Sequence, residues 1–362
     1  MTKYKTALYI TFFFISGIIT MSTMKISANL KYVASGGIHF DKPWFFTLTM
    51  FMSQTVMGLF LKKSEKSEEF SLLLAPKKQK KQIPFSAYAF PAFLDLFSTT
   101  LADIGLLVFQ IPATIVQILK GSSIIFTYIL ESILYKKLGL PRKSRRQLLA
   151  VVMAFISLAS VGFSSVMASS SGGDSKKTDT FMVSVGILLV FISQIGHGTQ
   201  VVYEGYLLKG ADVTAQRVVF SEGVFGTAFM FFFFVPITQM LKGTVLGEDH
   251  IDTLTQLKHS PILVLLTVLY CIGCIGLNFF GLKIVIAFSP LFKTLFEGGR
   301  SFFLFLFNLF LHYVVSGKLG EKLCEWTWLE GAGFVLLLFS FHQYHKGTGE
   351  TKDEEKQLEA SV

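Results

Sequence analysis

Three basic side chains, Lys120, Lys293 and Arg300, fall inside long apolar runs of this sequence, and a fourth, Lys25, directly follows one. An ionisable group at membrane depth is costly unless it meets a partner or faces a watery cavity. Lys293, Glu297 and Arg300 stand at i, i+4 and i+7, on one face of a helix. Two readings of that face compete. One is an internally neutralised ladder that holds the helix to its neighbours; the other, preferred, is a cavity wall that binds a polar solute. Gly298 and Gly299 beside it allow a helix or a solute to come close. Lys120 lies one turn after Gln117 and next to Gly121. It requires an acidic partner, for which Asp95 and Glu297 are the candidates, or an anionic ligand. Gln194, His197, Gln200 and Glu204 form a polar stripe at helical spacing, as a water-filled path would need. His197 titrates near neutral pH and is a candidate proton carrier. Glu222 is either a cavity acid or the partner of Arg217. The candidate solute-binding set is therefore Asp95, Gln117, Lys120, Gly121, Gln194, Gln200, Glu222, Lys293, Glu297 and Arg300. Glu222, Glu297 and His197 are the candidates for proton coupling.

The elements that carry these residues follow from composition. Of 362 residues, 51% are hydrophobic, 39 are Phe and only 16% are charged. A soluble domain carries about a quarter charged residues, so the shortfall, with long apolar runs, argues against a water-soluble enzyme. Ten apolar runs follow one another: 7–24, 43–61, 83–108, 113–135, 147–168, 181–208, 218–241, 261–282, 288–315 and 324–344. Each has about the length a bilayer-spanning helix needs, and helices satisfy their own backbone in lipid. The first run has a basic flank like a signal peptide, but it is long, without a clear cleavage site, and reads as a retained helix. The third run holds Asp95 and Asp103.

Of the 33 Lys and Arg residues, 21 fall on one side of this topology and 8 on the other. The positive-inside bias then puts both termini in the cytoplasm. Trp44, Trp326 and Trp328 gather at non-cytoplasmic helix ends, as in an interfacial belt. A shift of 177 residues lays the first five runs on the last five and brings Lys120-Gly121 opposite Glu297-Gly298. With five helices per unit, the copies must cross in opposite directions, a transporter signature. The expected organisation is a first five-helix repeat at 1–168, a non-cytoplasmic linker at 169–180, a second repeat at 181–345 and a disordered cytoplasmic tail at 346–362.

Other chemistries find little support. Three cysteines make no disulfide framework, and Cys271-x-x-Cys274 lacks a second ligand pair, so no metal site is expected. The sequence has no phosphate-binding P-loop, HExxH or nucleophile elbow; no catalytic residue and no cofactor are expected. The net charge of +9 reflects basic cytoplasmic loops facing anionic lipid, not nucleic acid. Glu68, Leu72 and Leu73 have the form of an acidic dileucine sorting signal.

Pro91 and Asp95, then Gln117-Ile118-Leu119-Lys120-Gly121, Ile124-Ile125-Phe126-Thr127, Glu222-Gly223-Val224-Phe225-Gly226, and Ser289, Lys293, Glu297, Arg300 and Ser301 together carry a family likeness. From about residue 4 to 345 the chain resembles the drug/metabolite transporter superfamily, and within it the F subgroup of solute carrier family 35, allied to the chloroquine-resistance-transporter-like proteins. Pro290 and the Gly298-Gly299 pair depart from the pattern. The resemblance implies an all-α integral membrane protein of ten helices in two inverted repeats, with a central cavity and alternating access in an endomembrane. Its substrates are poorly defined, and nucleotide-sugar transport belongs to its cousins. The expected function is secondary active transport of a small polar or charged solute in a lysosome, vacuole or Golgi membrane. The expected partners are the bilayer, the solute, and protons or a counter-substrate; a homodimer is compatible. The alternative is a scaffold or receptor that binds proteins through its cytoplasmic loops.

Overall fold

The fold is given by a computed structural model. It describes residues 3–29, 31–32, 38–40, 42–60, 83–105, 119–138, 143–171, 180–210, 213–244, 247–315, 323 and 325–360. Among these, helices dominate: α1 (Lys3–Asn29), α2 (Pro43–Thr55), α3 (Ala89–Asp103), α4 (Ser123–Leu138), α5 (Arg145–Ser171), α6 (Thr180–Gly210), α7 (Ala215–Phe229), α8 (Val235–Met240), α9 (His250–His259), α10 (Pro261–Ala287), α11 (Pro290–Phe310) and α12 (Thr327–Ala360). Two-residue strands, β1 (Lys31–Tyr32) and β2 (Ile38–His39), pair antiparallel with Lys31 opposite His39. Helix starts follow local chemistry. Pro43, Pro261 and Pro290 stand at the first turns of α2, α10 and α11, where a missing N–H costs nothing. Thr214 and Ser260 cap α7 and α10 through their hydroxyls.

Among the described residues, five stretches are each long and apolar enough to cross a membrane: Tyr4–Met24, Ser184–Lys209, Ala215–Met240, Pro261–Ala287 and Pro290–Val314. The third runs from α7 into α8 through a π-helical turn at Met230–Phe234, and α11 ends in another at Leu311–Val315. Apolar side chains on outer faces, such as Phe232, Leu265 and Val335, are exposed. Lipid would cover them.

Helix pairs are joined by small residues and hydroxyls. In α5 and α12 the Ser157 hydroxyl donates to the Gly333 carbonyl at 2.5 Å, Ser164 to that of Trp326 at 2.6 Å, and the Gln147 amide to Thr348 Oγ1 at 2.8 Å. One partner number climbs as the other falls, so the two helices run antiparallel. Between α1 and α10, Thr20 and Ser16 lie against Gly273, and Ser16 against Gly276. Between α3 and α6, Ser98 lies against Gly196 and the Phe90 and Tyr203 rings pack 5.1 Å apart. In α2 and α7, Gln54 and Thr55 lie against Gly223. The start of α1 packs on the end of α10 (Tyr9 on Phe280), and the end of α12 packs on the start of α11 (Tyr344 on Phe292). Both outer ends therefore lie at one end of the bundle.

A Cβ on Gly273 would stand 3.0 Å from the Thr20 nitrogen and 3.1 Å from the Ser16 carbonyl. Gly273→Leu is therefore expected to push α1 off α10 and cost at least about 1–3 kcal/mol, the range for overpacking. Thermal unfolding of the purified protein should show the lowered midpoint. Gly331→Ala, with open space around it, should not lower it; equal midpoints for both variants would refute the close crossing.

Several expectations are corrected. Residues 346–360 continue α12 as helix rather than forming a disordered tail. Their Lys, Glu, Gln and Ala are strong helix formers, and Arg146 holds Glu350 at 2.7 Å. Residues 169–171 belong to α5 and Thr180 to α6; the remainder of the expected linker lies outside the described residues. The basic loop with Glu68, Leu72 and Leu73 does also. Helix α9 went unpredicted, being short and mostly polar. Its N-cap Asp249 accepts from the Ile251 and Asp252 amides and from Gln239. These bonds, that from Gln239 first, hold the Asp249 carboxyl below its ordinary range. Of the tryptophans at helix ends, Trp44 is buried and stacked on Phe234 at 5.5 Å, whereas Trp328 is exposed.

Candidate functional site

Side chains of α1 to α6, α10 and α11, with Lys120 and Gly121 just before α4, line a cavity of about 210 Å³. Of the ten predicted solute-binding residues, eight line it: Asp95, Lys120, Gly121, Gln194, Gln200, Lys293, Glu297 and Arg300. His197 lines it too. Gln117 lies outside the described residues. Glu222 does not line the cavity, contrary to expectation, and makes no ion pair with Arg217. It is buried in α7, electrostatically close to Glu204, Asp95 and Lys293, and its Oε1 has no hydrogen-bond partner among the described residues. Its helix is turned toward α2 and α3, which sequence spacing could not show.

The α11 face resolves into three contacts. Lys293 Nζ donates to Glu204 Oε2 at 2.9 Å, with both side chains almost fully buried. Gln200 Nε2 donates to the other Glu204 oxygen at 2.7 Å. Glu297 Oε2 meets His197 Nε2 at 2.8 Å, bridging α11 and α6. Arg300 lays its stem over Gly17 of α1. The ladder is thus neutralised partly by α6, so neither sequence reading holds alone: this face both ties helices together and lines the cavity.

The remaining charges are not paired in this way. Among the described residues, Lys120, Arg300, Asp95 and Asp103 form no ion pair, and Asp95 accepts only from Thr99 Oγ1, at 3.3 Å. Asp95 and Glu297 do not pair with Lys120, contrary to what its spacing suggested. Asp103, Asn278, Thr20, Ser98 and Thr99 also line the cavity; Asp103 could have been found by the rule that selected Asp95, since both lie in one apolar run. Gly121 and Gly298, 177 residues apart, both face Leu158: a Cβ would meet its Cδ1 at 2.8 and 3.1 Å. Met21, Met24 and Met50 lead the cavity toward the bundle end away from the outer ends of α1 and α12. Among the described residues no cluster of His, Cys, Asp or Glu could hold a metal ion.

Comparison with known proteins decides the family. Residues 4–296 match the UAA transporter family. The chain belongs to that family. It lies in the drug/metabolite transporter superfamily, as the sequence motifs indicated. An uncharacterized protein of Schizosaccharomyces pombe, C12G12.12, is 26% identical over 261 residues, covering 71% of this chain and 73% of that one. Solute carrier family 35 member F6 of Homo sapiens and its namesake in Pongo abelii are each 26% identical over 274 residues, covering 73% of this chain and 68% of theirs. Family membership and the apolar helices make this a multi-pass membrane protein of a transporter family.

Proposed function

We propose that this chain is a secondary active carrier that moves a small polar or charged solute by alternating access through the α3–α4–α6–α11 cavity. The observation that carries the reading is the cavity itself: unpaired charges of both signs, far from either end of the bundle, cost free energy that a bound solute would offset. In this reading the protein has ten spans, α1 to α7 (with α8) and α10 to α12, in two inverted repeats joined at 169–180. The packing supports it. Exchange of the repeats turns α1–α10 into α3–α6, α4–α6 into α1–α11, and α3–α7 into α2–α10, and each of these pairs is in contact. The pairs α2–α7, α4–α11 and α5–α12 map onto themselves and also touch. The 177-residue shift carries Ser98–Gly196 to positions 275 and 19, between the contacts of Ser16 with Gly276 and Thr20 with Gly273. Both termini face the cytoplasm of an endomembrane, by charge bias.

The His197–Glu297 bridge is the coupling candidate, because protonated His197 holds the Glu297 carboxylate as an ion pair, and loss of that proton, or a proton on Glu297, would loosen α6 from α11. Glu222, buried with an unmatched oxygen, is the second.

Full-length protein in proteoliposomes loaded with a metabolite extract should exchange a defined subset of solutes in a saturable way. Lys120→Ala, at equal incorporation, is expected to slow that exchange at least about tenfold, as loss of a charge contact of about 1.5–3 kcal/mol implies. Exchange no faster than in empty vesicles would sink the carrier reading, and unimpaired Lys120→Ala would remove Lys120 from the site.

A further inference from the structure

The charges around the cavity are balanced in number but not in position. Lys293 and Arg300 are seven residues apart on α11, which a helix spreads over about 10 Å. Cross-links between helices set the other residues against this scale. Glu204 is level with Lys293, to which it is bonded. His197 is level with Glu297. Ser98 sits against Gly196, so Asp95 lies toward Glu204 and Asp103 lies on the Arg300 side. Ile124 touches the position of Gly298, so Lys120, one turn earlier in a helix running the other way, comes level with Arg300. The electrostatic neighbours are Asp103, Arg300 and Glu297 for Lys120, and Glu204, His197 and Lys293 for Asp95.

The cavity therefore has two ends. One holds Lys120, Arg300 and Asp103, with one positive charge in excess. The other holds Asp95, Glu204 and Lys293, where Glu204 neutralises Lys293 and Asp95 remains. The His197–Glu297 pair lies between. A wholly anionic solute would leave Asp95 unanswered, and a wholly cationic one would leave Lys120 or Arg300 unanswered. Both omissions are costly where water is scarce. At about 210 Å³ the cavity is smaller than the roughly 300–1,000 Å³ of drug-sized pockets. Ile124, Leu158, Leu277 and Tyr270 give it an apolar wall.

We propose that the solute is a small zwitterion, an amino acid or short peptide, bound with its carboxylate between Lys120 and Arg300 and its ammonium at Asp95. This rests on the carrier reading for transport but makes a separate claim about binding.

The test uses purified full-length protein and four probes at equal concentration: leucine, glycyl-leucine, N-acetyl-leucine (ammonium removed) and leucinamide (carboxylate removed). Thermal midpoints report binding by mass action. At least one zwitterion should raise the midpoint, and the two singly charged analogues should not. Asp95→Asn should abolish the preference over N-acetyl-leucine, and Arg300→Gln that over leucinamide; such opposite losses of selectivity cannot come from misfolding. An equal shift with either analogue, or none with either zwitterion, overturns the proposal and leaves the carrier reading to the extract exchange. Selective binding without uptake into proteoliposomes supports the zwitterion site and counts against the carrier.

Discussion

Replacing Lys293 by alanine should cost about 3–5 kcal/mol of stability, as breaking a buried ion pair by removing one partner does. The side chain of Lys293 is 5% exposed and that of Glu204 2%. Nothing else described offers Glu204 a cation, so the variant leaves a carboxylate buried with Gln200 alone. Packing adds to the loss, because the Lys293 stem lies 3.2 Å from where a Cβ on Gly281 would stand. Glu204→Gln should destabilise similarly by stranding the ammonium. The double variant Lys293→Met with Glu204→Gln removes both charges, keeps apolar volume beside Gly281 and preserves an acceptor for Gln200. It should recover most of the loss. Midpoints of thermal unfolding in one detergent would measure all three. A double variant as unstable as the two single losses combined would mean that the pair contributes no mutual compensation.

That pair also shows what the sequence could and could not reveal. The i, i+4, i+7 spacing of Lys293, Glu297 and Arg300 is a property of one helix, and one helix suffices to place them on one face. The same holds for Gln194, His197 and Gln200, and all six line the cavity. Which charge meets which depends on how two helices are rotated and staggered, information spread over both chains of side chains. Lys293 thus took Glu204 and Glu297 took His197, while Lys120 took neither expected acid. Glu222 failed for the same reason. The repeat was legible only as spacing, since the shift that pairs Gly121 with Gly298 also sets Asp95 opposite Ile272 and His197 opposite Thr20. Backbone approach needs small residues at equivalent places in both copies, whereas the lining has diverged. Position-specific polarity on one side of the axis is what an asymmetric solute would require. The π-helical turn at Met230–Phe234 had one local signal, Pro236 just beyond it, and the turn at Leu311–Val315 had none.

Glu131 gives the second large effect, at a distance from the cavity. Its side chain is fully buried, and each oxygen has a partner. Lys143 Nζ donates to Oε1 at 2.6 Å, and the Leu291 amide donates to Oε2 at 2.8 Å. Leu291 follows Pro290 at the start of α11, so a carboxylate from α4 answers one of the free N–H groups there and faces the positive end of the helix dipole. Lys143 also donates to the Tyr344 hydroxyl of α12 at 3.0 Å. One acid thereby ties α4, α11, α12 and the start of α5 at the bundle end where α1 begins. Glu131→Ala should strand a nearly buried ammonium and a backbone donor, at about 3–5 kcal/mol. Glu131→Gln keeps an acceptor for Leu291 but no counter-charge, and should fall between. Adding Lys143→Met to Glu131→Gln should restore much of its midpoint. Because α11 carries Lys293, Glu297 and Arg300, loosening its first turn should also disturb the cavity. In the proposed carrier each end would have to open in turn, and a knot of this strength at one end would resist that opening. Glu131→Gln is therefore expected to lower thermal stability while changing the rate of solute exchange per folded molecule. Unchanged exchange per folded molecule in that variant would make Glu131 a strut of the fold alone.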